Sequence, residues 1–133
     1  MHVNVEQAIE LKELGFKERT QTYFENGAIK FFDVIGGWDF NSSFLTCFSR
    51  PSHSEVFDWF EGKHKLFSEI TVDKTTYPKF GFEITPFFGN PKDLASEDWG
   101  WEETECSESL FKNRLEAESD CINQLISRVK CKQ

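Results

Sequence analysis

The stretch Lys79-Phe80-Gly81-Phe82-Glu83-Ile84-Thr85 decides the fold class. Phe80, Phe82 and Ile84 alternate with Glu83 and Thr85, the period of two that a half-buried strand requires. Working outward, Leu66 to Val72 is a second strand with Leu66, Ile70 and Val72 on one side. Nearer the start, Thr20 to Phe24 and Ala28 to Phe32 flank Glu25-Asn26-Gly27. Asn-Gly between apolar-rich runs is the strongest short hairpin signal. Phe44 to Phe48 and Glu103 to Lys112 are read as further short strands.

Three helices accompany these strands, and each begins with its own cap. Asn4 with Gln7 forms a capping box before Val5, Ala8, Ile9 and Leu11, and Gly15 follows the last turn. Ser52 with Glu55 opens a second helix carrying Val56, Phe57, Trp59 and Phe60, which Gly62 ends. Asn113, with Glu116, caps a third in which Leu115, Cys121, Ile122, Leu125, Ile126 and Val129 recur at helical spacing. Arg128 and Lys130 suit the negative end of its dipole. Asp33 to Ser43, with Gly36-Gly37, and the segment between Pro86 and Pro91 are read as loops. The expectation is a single compact α+β domain over residues 1–133. It has one antiparallel sheet of four to six strands packed with three helices.

Composition sharpens the question of function. The chain holds 15 Phe, 4 Trp and 2 Tyr in 133 residues, yet its formal net charge is -8. Such a chain repels phosphate backbones, and neither Lys63-His64-Lys65 nor Arg128, Lys130 and Lys132 is enough to reverse the field. A basic protein surface is the better electrostatic match, with no direct nucleic-acid partner. Met1 to Glu6 has neither a basic start nor an apolar run, so it is not read as a signal peptide, and no stretch is long enough for a membrane span. Cys47, Cys106, Cys121 and Cys131 form no C-x-x-C pair and are expected as reduced thiols in a cytoplasm.

Asp93 to Glu108 is the oddest segment. It carries Asp93, Glu97, Asp98, Glu102, Glu103, Glu105 and Glu108 with no Lys or Arg, and it encloses Trp99 and Trp101. One reading is a contact surface: the Trp rings anchor a basic partner while the carboxylates steer it. The other is a solvated loop with Trp99 or Trp101 tucked into the core. Trp38, beside Gly36-Gly37, is either a similar anchor or a lid on the core. The candidate partner-binding set is Trp38, Asp98, Trp99, Trp101, Glu102, Glu103 and Glu105.

Chemistry of other kinds finds little support. The acidic spacing does not follow a calcium loop, and His53 and His64 are not placed on one helix face. His53 is read as an exposed first-turn residue, His2 as disordered, and Cys121 as a buried small hydrophobe. Gly36-Gly37 is not followed by a Lys-Ser or Lys-Thr step, so no phosphate cradle forms. No catalytic residue, metal or cofactor is assigned.

Three stretches carry a resemblance. They are Val5-Glu6-Gln7-Ala8-Ile9-Glu10-Leu11-Lys12-Glu13-Leu14-Gly15-Phe16, then Pro51-Ser52 leading into Val56-Phe57-Asp58-Trp59-Phe60, and Glu116-Ala117-Glu118 running on to Cys121-Ile122 and Leu125-Ile126. In these the chain resembles a family of small uncharacterised proteins encoded by phages, prophages and mobile elements of Bacteroidetes-type bacteria. Members have a tyrosine-rich central strand region where this chain has Phe and Trp. Residues 86–108 look peculiar to this chain. The family has no established activity; the resemblance implies a phage or mobile-element accessory protein at work in the cytoplasm of a bacterial host. Together with the charge and the acidic Trp segment, this gives the expected function. It is a non-enzymatic protein-binding module that inhibits a nucleic-acid-binding host defence effector of the CRISPR type. Two alternatives stand beside it: a structural or assembly protein using its aromatics for homo-oligomer or virion contacts, and a small enzyme of unknown class.

Overall fold

A computed structural model describes residues 1–75, 77–89 and 98–132. Among these residues it is an α+β protein with two antiparallel sheets, of three and four strands, where the sequence suggested one. The chain divides into two compact units, residues 1–56 with 126–133, and residues 57–125. The helices among the described residues are α1 (Val5–Glu13), α2 (Phe40–Ser43), α3 (His53–His64) and α4 (Arg114–Cys131).

The first unit holds β1 (Thr22–Glu25), β2 (Ala28–Phe31) and β3 (Cys47–Ser49), in the order β2-β1-β3. Helix α1 starts where expected: the Asn4 side chain accepts the Gln7 N–H at 2.8 Å, and the Gln7 side chain accepts the Asn4 N–H at 3.1 Å. It buries Gln7, Ala8 and Leu11. The hairpin turn has φ of 52° at Asn26 and 79° at Gly27, which matches the twist of the flanking strands. On the other side of β1, Phe24 pairs with Phe48.

Local chemistry corrects several readings here. The loop before β3 contains α2, whose cap is Asp39: its carboxylate accepts the Ser42 N–H at 3.1 Å. The strand read at Phe44 to Phe48 is therefore displaced to Cys47–Ser49. His2 is ordered as a bridge to Ser52, and Met1 O accepts the His53 N–H at 2.8 Å. His53 itself is buried, not exposed.

Gly37 has φ of 67°, and a Cβ there would collide with the Thr20 carbonyl. The backbone must pass this close because Thr20 and Trp38 exchange two hydrogen bonds of 3.0 Å. Gly37→Ala is expected to cost about 2 kcal/mol or more. A urea denaturation midpoint close to wild type would contradict this.

The second unit is built on β4 (Leu66–Asp73) and β5 (Lys79–Phe88), paired in register from Leu66 with Pro86 to Asp73 with Lys79. The two-residue strands β6 (Gly100–Trp101) and β7 (Glu105–Cys106) both pair with β5. Of the single strand read at Glu103 to Lys112 only β7 forms, while Phe111 bridges to Phe80 through bonds of 2.8 and 2.7 Å. Pro86 lies inside β5 rather than opening a loop. The Phe87 N–H points to Lys65 O on the β4 side, so the missing Pro86 N–H would have pointed away from that ladder. Pro91 falls outside the described residues.

One face of this sheet is core. Leu66, Phe82 and Ile84 are buried, as are Ala117, Cys121, Ile122 and Leu125 of α4. Asn113 caps α4 by accepting the Glu116 N–H at 2.9 Å. Helix α3 runs past Gly62 to His64, and Lys65, with φ of 54°, takes the left-handed position where glycine would be easier.

Candidate partner-binding face

The β4–β5 register sorts side chains by the pleat. Leu66, Ser68 and Ile70 share a side with Pro86, Ile84 and Phe82, the buried one. Phe67 and Glu69 share the other with Thr85 and Glu83, and Phe87 continues it opposite Trp101 of β6. The Trp101 ring stands edge-on to Phe67 at 5.0 Å and to Phe87 at 5.1 Å, and Trp99 lies 6.0 Å from Phe87. Gly89, with φ of 86°, permits this return: a Cβ there would lie 2.6 Å from the Cβ of Trp99. Trp101 is 56% exposed and Trp99 38%, so both rings lie on the sheet surface.

Beside these rings is a groove of about 400 Å³ lined by Glu61, Phe67, Glu69, Glu83, Thr85 and Trp101. Glu69 and Glu83 face each other directly across the ladder. Like charges so placed oppose strand pairing. Among the described residues neither is paired with a Lys or Arg. The nearest polar interactions are the Cys106 thiol, which donates weakly to Glu83 at 4.0 Å, and a bond of 2.7 Å between the hydroxyls of Thr85 and Thr104. Among the described residues no group of three His, Cys, Asp or Glu side chains is arranged to hold a metal. The arrangement is an open aromatic shelf with uncompensated negative charge along one side. It suits a cationic partner.

The residues proposed from sequence are divided by the fold. Trp99 and Trp101 are brought together with Phe67 and Phe87. Asp98 is exposed at the edge of the described segment, and Glu102 is exposed while its N–H donates to Pro86 O at 2.9 Å. Glu103 and Glu105 are also exposed, but Glu105 pairs with Ile84 and so leaves on the opposite side of the pleat from Glu83. Asp93 and Glu97 lie outside the described residues. Trp38 belongs to the other unit. Glu61, Glu69 and Glu83 were absent from the sequence set. The alternation along each strand places Glu69 and Glu83 outward, but only the register shows that they meet.

Other titratable groups are set by burial. Burial pushes the Cys121 thiol up to about 12, and burial with a bond to the Glu25 carboxylate raises Cys47, so both stay protonated at neutral pH. His64 packs against Trp59 at 4.9 Å and Phe60 at 5.7 Å, with Nε2 buried and unbonded among the described residues. Burial, then the Lys63 charge, lowers its pKa below the ordinary 6.5. Burial and Arg50 lower His2 likewise. The unfolded chain therefore takes up these protons more readily. Stability is full above the ordinary histidine value and falls as pH drops through it toward the lowered folded values. The urea midpoint is expected to decline between about pH 7 and pH 5.5. His64→Phe should flatten much of that slope; an unchanged slope would contradict the assignment.

No helix of the described residues is long and apolar enough to cross a membrane. In comparisons with known proteins, no family model matches the chain, and no curated protein or solved structure is significantly similar to it.

Proposed function

We propose that this protein is a non-enzymatic binding module whose β4–β5–β6 face engages a basic protein surface. The observation that carries the reading is the Glu69–Glu83 pair set beside the exposed ring of Trp101. Two carboxylates opposed across a ladder with no cation between them among the described residues work against the sheet, and an incoming Arg or Lys would relieve them. Trp101, Phe67 and Phe87 supply a rigid aromatic anchor of the kind that dominates protein interfaces. The net charge of -8 steers the encounter in the same direction.

The fuller reading is a phage-encoded accessory protein in the cytoplasm of a bacterial host. It occupies the basic nucleic-acid cleft of a defence effector of the CRISPR type and makes no nucleic-acid contact of its own. The resemblance read in the sequence of α1, α3 and α4 is what suggests that context, and the acidic face supports that target. Its test is charge reversal of Glu61, Glu69 and Glu83, which line the groove, to Lys. With the fold retained, capture of a basic partner from bacterial lysate should weaken and lose its salt sensitivity. Unchanged binding and unchanged salt response would remove the proposal.

A second reading has its own support. Phe31 of the edge strand β2, with Ile35 and Leu45 in the following loops, is apolar and exposed. Such an edge can add a strand from another copy. Light scattering separates the two: a salt-independent dimer would favour homo-oligomer assembly.

A further inference from the structure

The first unit contains a separate groove of about 360 Å³, independent of the acidic sheet face. Five aromatic residues line it: Tyr23, Phe32, Trp38, Phe40 and Phe44. Phe40 is buried and stacks on Tyr23 at 4.1 Å. Phe32 meets Phe40 edge-on at 5.6 Å and Trp38 at a tilt, 6.2 Å away. The Trp38 N–H donates to Ser43 Oγ at 2.9 Å, which fixes a ring that is otherwise 43% exposed. Rings at several inclinations surround one space, and the Glu25 carboxylate completes the wall. One Glu25 oxygen accepts the Cys47 thiol at 3.6 Å.

We propose that this groove binds a small organic cation with an alkylated ammonium head, the Tyr23, Phe32 and Trp38 rings caging the charge, the buried Phe40 backing Tyr23, and Glu25 balancing it. Aromatic faces carry negative potential and attract a cation that has shed its water. The carboxylate disfavours a neutral apolar occupant and repels an anion. Alkylation follows from the shortage of acceptors: among the described residues, beyond Glu25, the Tyr23 hydroxyl and the Cys47 thiol, which already donates to Glu25, the lining side chains are rings. A bare ammonium or guanidinium would be left with unpaired N–H groups, and an alkylated head has few or none. The volume lies at the lower end of small-molecule sites, roughly 300–1,000 Å³. Lys12 does not itself line the groove; its ammonium is held at 2.8 Å by the backbone carbonyls of Phe44 and Cys47, two residues that do, and lies beside the site. Lys30, opposite Tyr23 in register, does not line it either.

The test is titration of the full chain by calorimetry, with choline and with its neutral isostere in which carbon replaces the nitrogen. Choline should bind at least about ten-fold more tightly than the isostere. Glu25→Gln should weaken choline about five-fold and Trp38→Ala about ten-fold, each with a wild-type circular dichroism spectrum. Equal binding of choline and isostere, binding of neither, or choline binding indifferent to both substitutions would overturn the proposal. Tighter binding of a peptide bearing trimethyl-lysine than of choline would overturn the small-molecule assignment in favour of a protein tail.

Discussion

Phe60→Ala is expected to cost the fold about 3–5 kcal/mol, a large part of the stability of a chain this size. Phe60 is fully buried, and its ring meets Trp59 edge-on at 5.0 Å and lies 5.7 Å from His64. Removing it forfeits the transfer free energy of a phenyl group and opens a cavity that the neighbouring helix backbone cannot collapse into. The same substitution gives the His64 imidazole room to hydrate, so the acid-side loss of stability should shrink with it. Urea denaturation at neutral and mildly acidic pH reads both effects. A cost below about 1 kcal/mol would mean that this part of the core is not packed as described.

Trp101→Ala is expected to act on binding instead. The indole is more than half exposed, so its loss should cost the fold less than that of Phe60, about 2 kcal/mol. If the β4–β5–β6 face is the contact surface, affinity for the basic partner should drop about 30-fold or more, as at other interface anchors. Trp99, packed at 6.0 Å on Phe87 and less exposed, should matter less. Calorimetric titration of the captured partner with the two variants checks the order. Equal losses at Trp99 and Trp101, or none, would place the anchor elsewhere.

Much of the fold was legible because its signals are local. A capping box, an Asn-Gly turn and the alternation in Lys79 to Thr85 are chemistry between residues a few positions apart, and each recurs in the structure. Helix α2 was missed because four residues cannot display a helical period, although Asp39 stood ready as its cap. Lys65 ends α3 in a conformation that a sequence reader assigns to Gly62, because the preceding turns keep the chain helical past that glycine. Two sheets arose where one was expected because strand partners are chosen by tertiary packing, on which composition is silent.

The candidate site divides along the same line. Trp99 and Trp101 were marked by their acidic surroundings in the sequence. The carboxylates that Trp101 sits beside come from α3, β4 and β5, and their meeting depends on a register set far along the chain. Glu105 shows the converse. It is close to Trp101 in sequence, yet the pleat turns it to the Ile84 side.

The central claim is that Glu69 and Glu83 are kept opposed, against the interest of the sheet, to meet a basic partner. Neutralising both should make the protein slightly more stable, by about 0.5 kcal/mol, while binding weakens. Affinity capture at low salt with Glu69→Gln/Glu83→Gln bait beside wild type, both verified as folded by their urea midpoints, tests this most directly. The account predicts that a basic, nucleic-acid-binding protein is held by the wild type and lost from the double variant. Retention of the same protein in the same amount on both baits would contradict it.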